Sequence, residues 1–117
     1  MKELIAKLEK ASEGSRELDV EIDRYRPPHD PRNRQWSIPR CSSSADAAIE
    51  FARDTMCASG HAMFEIHARI VHNGRGPTAF MEITVPSSEH KGWAHGRHAE
   101  ARGLCIAALK ARMAEEG

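Results

Sequence analysis

The segment "MFEIHARIVHNGRGPTAFMEITV", residues 63–85, carries the clearest fold signal in the chain. Apolar and polar side chains alternate on both sides of the central "HNGRGP", and a period of two is typical of strands with one buried and one wet face. Asn-Gly readily supplies the positive φ that a tight turn requires. We therefore predict an antiparallel β-hairpin with strands at 62–72 and 78–85.

The alternation also assigns the two faces of this hairpin. The predicted apolar face carries Phe64, Ile66, Ala68, Ile70, Met81, Ile83 and Val85. The predicted polar face is a binding face, the wet side of a sheet, or a face covered by another helix. Its polar members are Glu65, His67, Arg69, Glu82 and Thr84.

The length and composition of the chain limit its core. With 117 residues the chain is long enough for one domain and too short for two that each bury a core. Hydrophobic residues make up 40% and aromatic residues 5%, so the core must consist mainly of Ala, Leu, Ile and Met. Phe51, Phe64 and Phe80 are predicted as its large anchors.

Four segments have the apolar periodicity of amphipathic helices, namely 2–11, 15–25, 44–57 and 97–115. Ser15 is expected to cap the second helix, and Ser43 or Ser44 the third. Leu, Val and Ile also alternate in residues 18–22, so a strand is the alternative there.

The C-terminal helix is predicted to bury one broad apolar arc. Glu100, Gly103 and Lys110 mark the opposite side when successive residues are placed about 100° apart. Cys105 falls inside the arc, so it is predicted to be a small core residue rather than a ligand. His95 and His98 stand where the helix starts and are predicted to face solvent.

Together these elements predict an α+β fold in a single small domain, residues 1–117. The β-hairpin packs with about four helices in an αβα-sandwich-like arrangement. Residues 36–41 are the candidate for a third, short edge strand, because Pro39 is tolerated at the edge of a sheet. Exposed edges often pair across a dimer axis, so a homodimer is one expectation.

Residues 26–40, "RPPHDPRNRQWSIPR", are predicted to be a loop or tether, because their four prolines remove amide donors and restrict the preceding residues. The chain is neutral, yet residues 24–40 carry a net charge of +4. Arg and Trp are enriched among residues that dominate interface energies. The predicted binding residues are therefore Arg24, Arg26, Arg32, Arg34, Trp36 and Arg40.

Cysteine usage and hydropathy predict a cytoplasmic protein. The three cysteines are widely spaced, which argues against a disulfide framework and for a reducing compartment. The opening "MKELIAKLEK" is too charged for the apolar region of a signal peptide. No window approaches the roughly 18 apolar residues of a membrane span, so no membrane partner is predicted.

Two Cys and His pairs in the sequence are candidate ligands for a zinc ion. Cys57 and His61 have a C-x3-H spacing, and His95 and His98 an H-x2-H spacing, so the four would surround one ion only if both pairs met at one end of the hairpin. Structural zinc sites usually carry tighter knuckles with more Cys. We therefore predict no metal, no cofactor and, since no base or oxyanion site accompanies "CSSSAD" at 41–46, no catalytic residue.

Three segments carry a family resemblance, namely "LIAKLEKASEGSRELDVEI" at 4–22, "SSSADAAIEF" at 42–51 and "EARGLCIAALKARM" at 100–113. They resemble the small bacteriophage and prophage proteins with the phage αβα-sandwich domain. Arg40 and Cys41 stand where that family often has an aromatic-Thr pair, and the 26–40 loop is unusually rich in Pro and Arg. The family has no assigned activity, cofactor or catalytic residue. The resemblance therefore implies an accessory protein in the cytoplasm of a bacterial host.

Two classes of function remain. The first is a non-enzymatic accessory protein that binds a host protein or complex, for instance to modulate a host machine or a defence complex. The second is a small nucleic-acid-binding domain that uses the arginine-rich residues 24–40. The balanced charge of the whole chain favours the first class, because non-specific phosphate binding requires excess positive charge.

Overall fold

The predicted hairpin forms the first two strands of a three-stranded antiparallel sheet. A computed structural model of the chain describes residues 1–26, 38–74 and 76–116. The strands are β1 (Glu65–Asn73), β2 (Gly76–Val85) and β3 (Ser88–His95), and they lie in the order β1-β2-β3. Met81 of β2 pairs with Ala68 of β1 and with Gly92 of β3, so one register runs across the sheet.

Four helices accompany the sheet, namely α1 (Lys2–Lys10), α2 (Arg16–Asp23), α3 (Ala45–Ala58) and α4 (Ala99–Glu116). The α+β fold class is thereby confirmed. The Ser15 hydroxyl accepts a hydrogen bond from the Leu18 N–H, and the Ser44 hydroxyl accepts one from the Ala47 N–H. Both hydroxyls satisfy amides that have no partner within the first turn of a helix. Residues 18–22 are helical, so their strand alternative is wrong.

Helix α4 is the centre of the fold. It packs on β2 and β3, and α1 and α3 pack against it. Every residue from Ala101 to Leu109 is buried, including Cys105 as predicted. The prediction that Gly103 lies on the outer side of α4 is wrong, because Gly103 packs against the side chain of Met81. A helix covered on several sides has no single apolar arc.

A buried arginine joins α4 to two neighbouring segments. The Arg102 side chain is fully buried, and its guanidinium donates to the carbonyl oxygens of Ser42, at 3.2 Å, and His95, at 2.8 Å. Burial lowers the pKa of Arg102. The two bonds tie α4 to the segment before α3 and to the end of β3.

Two expectations about the sheet are wrong. Residues 38–41, the described part of the candidate edge strand at 36–41, are not in a strand. The third strand is instead β3, whose Gly92 and Ala94 are buried while Lys91 and Trp93 are exposed. Phe80 is not a core anchor, because it lies on the face of β2 opposite the buried Met81. Most of the predicted loop at 26–40 falls on 27–37, outside the described residues.

Candidate functional site

The face of the sheet that points away from α4 presents two aromatic side chains side by side. Phe80 of β2 and Trp93 of β3 are register partners, and each is 42% exposed. Arg69 of β1 is the register partner of Phe80 on its other side, with its guanidinium carbon 4.9 Å from the centre of the phenyl ring. Arg69, Phe80 and Trp93 therefore form a row across all three strands, which we call the aromatic row.

Charged and hydrogen-bonding groups flank the aromatic row. The next row of register partners on this face lies two residues along each strand and consists of His67, Glu82 and Lys91. The imidazole of His95 stacks on the Trp93 indole, with ring centres 6.3 Å apart and an angle of 24° between the planes. A shallow depression of about 470 Å³ lies between these side chains. A flat binding surface of this kind suits a macromolecule better than an enclosed small molecule.

We use the name open face for the fourteen strand residues on this side of the sheet. By register they are Glu65, His67, Arg69, Val71, Asn73, Gly76, Thr78, Phe80, Glu82, Thr84, Glu89, Lys91, Trp93 and His95. Two of them are permanent cations and three are carboxylates, so the open face has a net charge of −1 when its histidines are neutral. Its electrostatic character is mixed rather than basic.

The alternation of each strand builds the open face. In β2, Ala79, Met81, Ile83 and Val85 are buried, and the intervening residues point to the other side. The prediction that the polar side chains of the hairpin share one face is thus confirmed, since Glu65 pairs with Thr84 and His67 with Glu82. Sequence reasoning missed the role of Trp93. The alternation of 91–95 is the signal that would have found it, but Gly92 and the neighbouring charges weaken its resemblance to a strand.

The arginine-rich binding site predicted from the sequence stays a prediction. Arg32, Arg34 and Trp36 lie outside the described residues. Arg24 and Arg40 are exposed, and the Arg26 guanidinium lies 3.4 Å from the Asp54 carboxylate of α3. Arg24, Arg26 and Arg40 do not belong to the open face.

Cys41, Ser42 and Ser44 have structural roles in the fold. The Ser42 hydroxyl donates to the buried carboxylate of Asp19 at 2.5 Å, and the Ser42 N–H donates to the same oxygen at 2.9 Å. Cys41 is buried, and the Cys105 thiol donates to its carbonyl oxygen at 3.4 Å. A hydrogen bond with Cys41, together with complete burial, raises the pKa of the Cys105 thiol well above its usual range. A thiol held protonated in this way is a poor nucleophile.

The four candidate zinc ligands lie in two separate places. The His61 imidazole contacts the Glu115 carboxylate at 2.9 Å, near the end of α4, while His95 and His98 precede its first residue. An 18-residue helix is about 27 Å long, so one ion cannot bind both pairs. Cys57 is exposed at the end of α3. Across residues 1–26, 38–74 and 76–116, no three His, Cys, Asp or Glu residues are grouped so as to hold a metal ion.

Comparison of the chain with family models, with curated proteins and with solved structures gives no significant match in any of the three. Within the described part of the chain, every helix is too short or too polar to cross a membrane.

Proposed function

We propose that this chain is a non-enzymatic protein-binding module and that the open face is its binding surface. The observation that supports the proposal is the aromatic row, in which Phe80 and Trp93 stand exposed beside Arg69. Trp and Arg are the residue types that most often dominate the energy of protein interfaces, where they are surrounded by polar groups that exclude water. His67, Glu82 and Lys91 are placed to act as such a rim.

The charge of the open face favours a protein partner over a nucleic acid. A surface that binds phosphates needs several uncompensated cations, because each phosphate contact adds to the affinity. Here Arg69 and Lys91 are offset by Glu65, Glu82 and Glu89. Such mixed charge suits a protein surface with complementary groups of both signs.

The polar groups of the chain support a non-enzymatic role. Ser15 and Ser44 cap helices, and Ser42 bonds the buried Asp19. The Ser42 and Ser44 hydroxyls within 41–46 thus have structural roles.

The biological setting of the proposal comes from sequence resemblance. The segments at 4–22, 42–51 and 100–113 resemble phage αβα-sandwich proteins, which suggests a phage or prophage accessory protein in the cytoplasm of its bacterial host. The proposed partner is a host protein or complex, such as a defence complex. The arginine-rich residues 24–40 are a second candidate, apart from the open face, for contacts with such a partner.

A nucleic-acid-binding function is the second candidate. Aromatic side chains on an open sheet are also used to stack the bases of single strands. Phe80, Trp93 and the stacked His95 have that arrangement. The arginines of 24–40 would then contact phosphates. The carboxylate of Glu82, next to the aromatic row, weighs against this function.

Affinity capture from a bacterial host lysate, with and without nuclease, tests the proposal. Wild type and the Trp93→Ala variant are compared with Ile49→Ala, which truncates an exposed apolar side chain on α3. We expect wild type and Ile49→Ala to retain the same protein after nuclease treatment, and Trp93→Ala to retain at least tenfold less, as loss of an aromatic interface anchor predicts. Equal capture by all three would refute the role of the open face. Binding of labelled single-stranded DNA or RNA that weakens steeply with salt would support the second candidate instead.

A further inference from the structure

Strand β1 is an exposed edge whose side chains are open to water on both faces of the sheet. In the described chain its only strand neighbour is β2. Ile70, on the face that α4 covers elsewhere, is 48% exposed, and Val71, on the open face, is 40% exposed. Met63, just before the strand, is 79% exposed. Apolar groups on both faces of an unpaired edge are unusual, because such an edge attracts other strands.

The other edge of the sheet differs. Strand β3 packs beside α1, and the chain that leaves β3 is held there by hydrogen bonds: the Gly96 N–H donates to the Pro77 carbonyl at 2.8 Å and the Arg97 N–H to the Ser12 carbonyl at 2.9 Å. Strand β1, nine residues long, has no proline within it. The usual features that protect an edge are a short strand, proline, charged side chains or a covering segment, and β1 has charged side chains, Glu65 and Arg69.

We propose that β1 pairs with β1 of a second copy of this chain, antiparallel across a twofold axis at His67. In this register, Glu65 of each copy lies opposite Arg69 of the other, so two ion pairs form on the open face. Residues 65–69 of the two strands overlap in this register. When the pairing continues two residues beyond each end of this overlap, Val71 lies opposite Met63 and Ile70 opposite Phe64, each from the second copy. Directly opposed side chains in antiparallel strands are about 5 Å apart at Cβ, so these pairs are in contact.

One register thus satisfies both the charges and the exposed apolar groups of the edge. A shift of two residues in one direction places His67 opposite Arg69, and a shift of two in the other direction places Arg69 opposite Met63. In both registers Glu65 no longer lies opposite Arg69, so the two ion pairs are lost. A shift of one residue turns the helices of the two copies to opposite sides of the sheet, since side chains alternate with a period of two. The register centred on His67 keeps the helices on one side.

The partner is a second copy because the edge is complementary to itself. In the monomer, Glu65 bonds the imidazole of His67 at 2.9 Å and the Arg69 guanidinium lies over Phe80. Both side chains are long and exposed at the strand, so they can turn towards the edge. The resulting dimer has a continuous six-stranded sheet with two aromatic rows on one face. This inference does not depend on the partner that the open face binds.

Sedimentation velocity of the purified chain, from about 10 µM to about 1 mM, tests the dimer. We expect a reversible monomer–dimer equilibrium within this range. The single variants Glu65→Arg and Arg69→Glu place like charges opposite each other twice, so each is expected to weaken association about tenfold. The double variant with both changes restores the two ion pairs and is expected to associate within about threefold of wild type.

Matched controls come from the opposite edge of the sheet. Glu89→Arg, in the same row as Glu65, and Lys91→Glu, in the row next to that of Arg69, make the same charge changes on β3. Both are expected to leave association unchanged. A chain that stays monomeric up to about 1 mM overturns the proposal. So does a dimer that the β3 variants disrupt, or one that the double variant fails to restore. Circular dichroism spectra of all variants confirm that each is folded.

Discussion

Gly92 of β3 and Gly103 of α4 face each other where the helix lies closest to the sheet. A Cβ built on Gly92 would lie 2.1 Å from the Gly103 carbonyl oxygen and 2.7 Å from the Ala107 amide nitrogen. Both neighbours are backbone atoms, so neither can move without shifting the helix. The absence of a side chain at Gly92 therefore sets the distance between α4 and the sheet, and with it the burial of Ala79 and Ala94.

The glycine pair leads to unequal effects of substitution. Gly92→Ala must push α4 away from the sheet, so we expect it to lower the free energy of unfolding by about 3 kcal/mol. Gly103→Ala meets only the flexible Met81 side chain, at 2.8 Å, and also gains helix propensity. It should therefore cost less than about 1 kcal/mol. Urea denaturation measures both, and equal losses would contradict this account of the contact.

Arg102 provides a prediction about the buried polar contacts. Arg102→Met removes both of its hydrogen bonds and leaves the Ser42 and His95 carbonyl oxygens inside the protein without this donor. We expect a loss of about 3 kcal/mol, because a buried acceptor left unsatisfied costs its full desolvation. Arg97→Ala, an exposed arginine just before the same helix, is the control and should change stability by less than about 0.5 kcal/mol. Similar effects of the two variants in urea denaturation would argue against the role of Arg102.

The three thiols are predicted to react at different rates. Cys57 is exposed, whereas Cys41 and Cys105 are buried, and the raised pKa of Cys105 further lowers its reactivity. With an aromatic disulfide reagent at neutral pH, we expect one fast equivalent, removed by Cys57→Ser, and three equivalents in denaturant. A fast equivalent that persists in Cys57→Ser would place Cys41 or Cys105 at the surface and contradict the burial of that thiol.

Local patterns in the sequence were enough to predict the helices and the hairpin. The predicted helix at 97–115 compares with Ala99–Glu116, and the hairpin strands at 62–72 and 78–85 compare with Glu65–Asn73 and Gly76–Val85. These elements depend on periodicity and turn residues, which act over a few residues.

Contacts between distant segments of the chain decided the features that the sequence analysis did not predict. Strand β3 has a glycine and charged residues in its middle, which weakens its local strand signal. It is a strand through its pairing with β2, and Gly92 lets α4 pack closely on it. The exposure of Phe80 depends on which face of the sheet the helices cover, and an aromatic residue in a strand is usually assigned to the core. The aromatic row therefore required the register of all three strands. The two histidine-containing pairs considered as zinc ligands, 57/61 and 95/98, lie apart by about the length of α4, a distance that their spacing in the sequence does not reveal.

The end of α4 leads to a prediction about pH. Burial lowers the pKa of His90, partly offset by the Glu115 carboxylate, while the nearby His61 acts in the same direction as burial. A histidine with a lowered pKa in the folded protein binds its proton more readily in the unfolded chain. The contribution of His90 to stability is therefore complete above its unfolded pKa, near 6.5. This contribution is lost as the pH falls below that pKa. Hydrogen bonds from Ser59 and His61 lower the pKa of Glu115, so its contribution is lost at still lower pH. We expect His90→Asn to flatten the dependence of unfolding midpoints on pH just below 6.5. Its effect on the lower range should be small, because His90 is the last of the groups that lower the pKa of Glu115. His67→Asn, on exposed β1, is the control. A wild-type chain whose stability rises as the pH falls through this range would show that the sign is wrong.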